Sequence, residues 1–421
     1  MRRVVLKVAG RQFLPWTEVE ITRDLTEISG SFRLTYHPAV EAERGLRAGQ
    51  RLPRRQEEQL LELKAGQEAR IEIDGELVLW GWIDDVDRDV GADRINAVVR
   101  GRDKTGDLVD CAATVDGPAE FRAITLAEIA RRICAPFGIG VKSDIGEGRS
   151  FEKFSIDVAE TAMSAIEKAT RQAGVLLTSD GIGNLVLTRS GTGRAPEALR
   201  LPGNIQDARI RDSWRARFSD YVYKSQLSHA GGAAALDHAA NPLAGGLNPA
   251  PPTPGEARDV VRTGRARDAE VTRWRPRVRL VRTESAGASA TEQADWMMRV
   301  ARGQSEGRTY IVTDWRAGPG AAVRNPADRG GGTLWRPNQL AAVVDRFAGI
   351  DRDLLIQGVT FLYDGQGSRT ELRMVGPEAF DRIQEDARRQ RRQRSVADNA
   401  PRDAVARPLL GPAQPERRGD R

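Results

Sequence analysis

The sequence predicts a mainly β protein of the α+β class, with two related antiparallel β-barrel domains per chain and a small α+β unit between them. Three observations lead there. Residues 1–110, and again those after about 200, alternate apolar and polar side chains at the period of half-buried strands. Residues 111–190 instead carry apolar side chains at helical spacing. A segment near the start, "ELVLWGWIDDVDRDVGADRINAVVRGRD", has a counterpart near the end, "DLLIQGVTFLYDGQGSRTELRMVGPE".

The elements follow in order. "RVVLKVAG", "TEVEITRDL" and "GSFRLTYHP" are strands, the last with Phe32, Leu34 and Tyr36 on one face. "EARIEIDGELVLWGWIDDV" holds two strands around Asp74-Gly75, a strong hairpin signal because both turn residues tolerate positive φ. From 111 to 190, "ITLAEIARRICAPFGI" places Leu126, Ile129, Ala130, Ile133 and Phe137 on one helical face, with Thr125 as N-cap. A second helix over about 160–173 carries Met163, Ile166 and Ala169, and leads into two strands around Asp180-Gly181. In the third region, 191–380, strands are expected in "DARIRDSW", "FSDYVYKSQL", "EVTRWRPRVRLVRT", "RTYIVTDW", "NQLAAVVDRFAGI", "RDLLIQGVTFLYD" and "RTELRMVG", with a helix inserted at about 291–303. Gly/Ala/Pro loops at 230–257 and 317–332 have no periodicity and are expected to be mobile. Beyond Phe380 a short basic helix and a disordered, Pro/Arg-rich tail (381–421) are expected.

The repeat aligns Leu77-Val78-Leu79 with Leu354-Leu355-Ile356 and Gly81 with Gly358. After a hairpin, Val98-Val99-Arg100-Gly101 aligns with Arg373-Met374-Val375-Gly376. The glycine spacings, 20 and 18, differ by what a changed hairpin loop absorbs. A chain holding the same module twice could present six modules from three copies about one axis.

Bulk properties narrow the class. At 421 residues, with 40% hydrophobic and 29% charged side chains, the chain has material for a real core and more than one domain. No apolar run reaches bilayer length, and "MRRVVLKVAGRQF" breaks into charge too early for a secretion signal, so synthesis and assembly in a cytoplasm are expected. Cys111 and Cys134 are expected as buried free thiols. The net charge of +6 would suit a nucleic-acid partner, but only seven of the 65 basic residues are lysine, a bias that points to a GC-rich genome. The one concentrated basic block is "ARRQRRQR", 387–394.

Four blocks, in order, carry a resemblance. They are "VVRGRDKTGDLVDCAA" (98–113), "ETAMSAIEKATRQAGVLLTSDGIGNLVLTR" (160–189), "LWRPNQLAAVVD" (334–345) and "LLIQGVTFLYDGQGSRTELRMVGPEAF" (354–380). Together they resemble the baseplate hub proteins of Mu-like contractile-tailed bacteriophages, kin to the hubs of T-even phages and to the base of type VI secretion spikes. The resemblance implies a homotrimer whose paired barrels form a pseudo-hexameric ring, a three-fold to six-fold symmetry adaptor in the virion's tail baseplate, assembled in the host bacterial cytoplasm. It implies the tail tube or tube-initiator protein, the central spike protein, the tape measure protein and baseplate wedge proteins as partners, with DNA only in transit and no stable membrane insertion. No catalytic, cofactor-binding or metal residues are expected. A type VI spike base remains an alternative, although the chain lacks a long β-helical extension.

Other residues bear on catalysis, metal binding and base stacking. "DDVDRDVG" clusters Asp84, Asp85, Asp87 and Asp89, the candidate site for a cell-wall-degrading tail enzyme or a bound cation. A calcium loop counted from Asp85 would need Gly at Val90 and Glu at Asn96. On a strand, Asp85, Asp87 and Asp89 would instead share the solvent face, with Val86 and Val90 opposite. His37, His229 and His238 lack ligand spacing, and "GIGVKSDIGEG" lacks the strand-to-helix setting of a phosphate loop. Trp80, Trp82, Trp274, Trp315 and Trp335 could stack bases but are expected in the core or a subunit interface.

Overall fold

The computed structural model describes residues 4–14, 16–37, 60–91, 95–115, 117, 119–226, 261–281, 290–318 and 332–380. The loop at 230–257, most of that at 317–332, His229, His238 and the tail at 381–421 lie outside the described residues.

The first strands are β1 (Val4–Val8), β2 (Arg11–Phe13), β3 (Glu18–Asp24), β4 (Ser31–Tyr36), β5 (Glu68–Ile73), β6 (Glu76–Val90) and β7 (Ile95–Asp103). They pair antiparallel in the spatial order β2-β1-β5-β6-β7-β4-β3. Alternation decides their faces. Phe32, Leu34 and Tyr36 are buried as expected, and Asp74 (φ 51°) with Gly75 (φ 85°) makes the β5–β6 turn. Gly81 is required: a Cβ there would collide with the backbone of Arg102 and Asp103 on β7.

The α+β unit comprises α1 (Gly106–Asp110), β8 (Glu120–Thr125), α2 (Leu126–Cys134), β9 (Gly140–Ser143), β10 (Ser150–Ser155), α3 (Ala162–Ala173), β11 (Leu176–Ser179) and β12 (Asn184–Thr188). Thr125 caps α2 by accepting from the Glu128 N–H at 3.3 Å, and Thr161 caps α3 likewise from Ser164 at 3.2 Å. Leu126, Ile129, Ala130 and Ile133 of α2 bury against Ala165, Ile166 and Ala169 of α3, and Leu185 and Leu187 of β12 complete that core. β9, which alternation did not reveal, pairs parallel with β12.

The remaining elements are β13 (Gly193–Arg194), β14 (Leu199–Leu201), β15 (Ile205–Asp212), β16 (Asp220–Gln226), β17 (Val261–Arg267), β18 (Pro276–Val281), α4 (Ala290–Ser305), β19 (Glu306–Thr313), β20 (Arg316–Ala317), β21 (Thr333–Leu334), β22 (Gln339–Asp345), β23 (Ile350–Asp364) and β24 (Gly367–Val375). β16, β17 and β18 form a small sheet against α4. The strand expected across "EVTRWRPRVRLVRT" begins only at Pro276. Ahead of it the chain turns, because the buried Arg217 guanidinium holds Asp268 at 2.6 Å and Glu270 at 2.8 Å.

β15, β19, β24 and β23 lie side by side in that order, and β23 then pairs with β3. The sheet therefore runs on from the second half of the chain into the first. This corrects the expectation of two closed barrels: among the described residues no barrel closes, because the outer edge of β3 bonds to β23 rather than returning to its own end of the sheet. One apolar core follows the sheet through both halves, from Leu34, Ile71 and Val99 to Tyr310, Leu354 and Leu372.

The duplication shows in strand order. β22-β23-β24-β19-β15 repeats β5-β6-β7-β4-β3, and both long strands carry a bulge, between Ile83 and Asp85 in β6 and between Ile356 and Gly358 in β23. Bulge over bulge, Asp85 lies on Gly358, four positions from the alignment of Gly81 with Gly358. The two glycines are unrelated: Gly81 admits the β7 backbone, whereas Gly358 makes room for Asp24.

Candidate assembly interface

The seam between the halves is built from β23 and β3. Thr360 faces Thr22, Phe361 faces Ile21 and Tyr363 faces Val19. Ile21, Val19, Val359 and Phe361 sink into the shared core, while on the other face the Thr22 and Thr360 hydroxyls meet at 3.1 Å. Polar groups close the end of the seam. The buried Asp24 carboxylate accepts from the Thr26 N–H at 2.7 Å and the Thr26 hydroxyl at 2.6 Å, and pairs with Arg373 at 3.1 Å. The Leu25 N–H donates to the Gln357 carbonyl at 2.9 Å, so the bulged residue is used.

Beside the seam, Asp103 joins the large sheet to the α+β unit. Its buried carboxylate accepts from the Gly30 N–H (2.9 Å), the Thr105 N–H (2.9 Å), the Thr105 hydroxyl (2.5 Å) and the Ser179 hydroxyl (2.7 Å). The Arg23 guanidinium donates to the Ser179 carbonyl at 2.8 Å. Burial lowers its pKa, against the attraction of Asp103 and Asp180. Asp24 and Asp103 each carry a local signal, an Asp-x-Thr turn with Thr26 and Thr105, but nothing local marks Arg23 or Ser179, whose partners are brought by topology.

The acidic run occupies the far half of β6. Asp84 pairs with Arg102 at 2.9 Å, Arg102 pairs with Asp110 at 2.6 Å, and Asp87 pairs with Arg100. Hydrogen bonds to Asp110, then to Asp84, raise the Arg102 pKa, and the same guanidinium lowers that of Asp110. Asp84 and Asp87 thus serve exposed cross-strand ion pairs, which register strands more than they stabilise them. Asp85, Asp87 and Asp89 are exposed together as expected, and Val86 packs inward. Val90 does not: it stays 57% exposed. Among the described residues no group of three His, Cys, Asp or Glu side chains is placed to hold a metal ion.

The tryptophans and cysteines divide between core, contact and surface positions. Trp315 and Trp335 are core residues, and the Trp315 indole donates to the Leu362 carbonyl at 2.9 Å. Trp80 lies under Lys104 (3.7 Å) and Arg70 (4.4 Å) and donates to Glu68 at 2.7 Å; Trp82 donates to Asp107 at 3.0 Å. Trp274, by contrast, is 76% exposed. Cys134 is a buried free thiol, but Cys111 is exposed, since the chain leaves α1 there on the surface. "GIGVKSDIGEG" forms β9 and a turn that leads to β10 rather than to a helix. No described helix is long and apolar enough to cross a membrane.

Known proteins share this arrangement. The family described as Mu phage baseplate assembly protein GpP-like, N-terminal, matches residues 3–103. The second domain of baseplate hub protein gp44-like matches 105–189, and the fourth domain of Mu phage baseplate assembly protein GpP matches 286–383. The baseplate hub protein gp44 of Escherichia phage Mu is 30% identical over 382 residues, spanning 90% of this chain and 88% of that protein. Among solved structures, the 43 kDa tail protein of prophage MuSo2 from Shewanella oneidensis aligns at a TM-score of 0.67 and 30% identity, over 90% of this chain and 99% of that one. The tail protein from Neisseria meningitidis MC58 aligns at 0.65 and 20% identity, over 90% and 99%, a likeness of fold. With this fold, the matched domains in order and the identity to gp44 along nearly the whole chain, the protein belongs to the family of Mu-like phage baseplate hub proteins.

Proposed function

We propose that three copies of the chain form the hub of a phage tail baseplate, with the two halves of each chain at equivalent positions, so that a three-fold trimer offers a six-fold face. The observation that carries this reading is the seam: two copies of one strand arrangement stand edge to edge in a continuous sheet. In this reading the six-fold face receives the tail tube or tube-initiator protein and the three-fold face receives the central spike protein. The lumen passes the tape measure protein and then DNA, and the perimeter meets baseplate wedge proteins. The protein resides in the virion, after assembly in the host cytoplasm.

The working division is 1–110, 111–190 and 191–380, with 381–421 as a tail. The role is binding rather than catalysis, in keeping with relatives that are named as baseplate hub proteins. The acidic run supports this better than the cell-wall-enzyme alternative, because two of its four carboxylates, Asp84 and Asp87, are engaged in exposed ion pairs. The identity to a phage Mu protein favours a phage tail over a type VI spike base. Light scattering on the full chain, with electron microscopy of the particles, tests the reading. A trimeric ring with both halves at one height and radius is expected. A monodisperse monomer at micromolar concentration, or halves at unequal radii, overturns it.

A further inference from the structure

β3 does not fill the only edge of its kind. The far half of β23 has two neighbours, β24 on one side and β3 on the other. The equivalent half of β6, Asp84–Val90, has only β7 among the described residues. β3 in turn is flanked by β4 and β23, whereas its equivalent, β15, has only β19 among the described residues. Among the described residues the chain therefore carries one seam that is made and the two separated edges of a second, at opposite ends of the order β15-β19-β24-β23-β3-β4-β7-β6.

We propose that β15 of one chain pairs antiparallel with residues 85–90 of β6 in a second copy of this chain, in the register by which β3 pairs with β23. This rests on the trimer reading and adds to it a surface, a partner strand and a register. The register follows from the two sets of ladder pairs. Asp85 takes the place of Gly358, and Ala208 takes that of Val19, because each faces the equivalent residue of its own neighbouring strand. Asp87 then stands where Thr360 stands, opposite Arg211 in the place of Thr22. Asp89 falls opposite Arg209, Arg88 opposite Ile210, and Val90 opposite Ala208.

Two independent features fit that register. Asp87, which also pairs with Arg100 of its own chain, and Asp89 meet Arg211 and Arg209 with opposite charges directly across the ladder, the favourable arrangement for cross-strand pairs. Asp85, opposite Ser213, is a diagonal neighbour of Arg211. Neither arginine has an ion-pair partner among the described residues, and both are exposed. On the other face, Val90 and Ile210, 57% and 43% exposed, become diagonal neighbours that cover each other. A shift of one residue would put Asp and Arg on opposite faces and leave both apolar side chains in water.

The test uses the full-length chain with Cys111→Ser to remove the exposed thiol. Asp87→Cys combined with Arg211→Cys is oxidised and run without reductant, beside each single variant and beside the displaced pair Asp87→Cys with Ile210→Cys. Covalent species up to a closed trimer are expected from the matched pair, at least about tenfold above the displaced pair, whose side chains point to opposite faces. A second measurement reverses charge: Asp87→Arg with Asp89→Arg weakens the trimer at least about tenfold, and adding Arg209→Asp and Arg211→Asp restores it. Trimers by light scattering that give no matched cross-link and ignore the reversal would sink the pairing while leaving the hub intact. Loss of the trimer in the unmodified chain would sink both.

Discussion

Asp24 occupies the space that a side chain at Gly358 would need. A Cβ on Gly358 would collide with Asp24 Oδ2 and lie 3.0 Å from Arg373 Nε. The seam thus closes tightly only because one strand offers a glycine where the other offers a buried acid.

Gly358→Ala forces Asp24 to leave either Thr26 or Arg373. A loss of about 1–3 kcal/mol in unfolding free energy is expected, as for overpacking elsewhere. Urea denaturation measures it. Gly367→Ala, where nothing lies within 4 Å but φ is +96°, separates crowding from backbone strain.

Asp103→Asn keeps the shape but turns an amide donor toward groups that are themselves donors, Gly30 N–H and Ser179 O–H among them. Each buried donor left unpaired costs about 1–3 kcal/mol. Hydrogen exchange should show the α+β unit opening more readily than the large sheet.

Tyr310 is buried and donates to Asp345 at 3.0 Å. Burial first, then the Asp345 hydrogen bond, push the phenol up. Above pH about 10 the unfolded chain loses this proton while the folded one keeps it, so the stabilisation is complete below that pH and is lost as pH rises. Tyr310→Phe should lower stability at neutral pH by about 1–3 kcal/mol and flatten its fall above pH about 10. Denaturation midpoints across that range check both effects.

The thiols should separate by reactivity. Burial pushes Cys134 up to about 12, whereas Cys111 is exposed. Maleimide at pH about 7.5 should add one label to the native chain, at Cys111, and a second only on unfolding. Peptide mass spectrometry reads the positions, and native labelling at Cys134 would contradict the packing of α2.

What the sequence disclosed was local. Asp74-Gly75 dictates its hairpin within four residues, and Thr125 with the spacing from Leu126 to Ile133 dictates a capped amphipathic helix. β17 escaped because "VRTGRAR" has almost no apolar alternation, and β9 because a parallel partner leaves no turn signal. The repeat was legible but its register was not: glycine matched glycine, whereas the shared feature is a bulge, which belongs to two strands at once. By its residues alone the acidic run fits chemistry or surface. Its meaning as an edge required the strand order, which no short stretch contains.

The seam also sets a clock on synthesis. Thr22 and Thr360, which touch across it, are 338 residues apart. At translation rates of about 5–20 residues per second, β3 leaves the ribosome roughly 17–70 s before its partner strand does. For that interval Ile21 and Val19 lie along an unpaired border, the kind of surface nascent chains misuse and chaperones shield. The N-terminal half must therefore wait, folded but unfinished, for the last strands of its own chain.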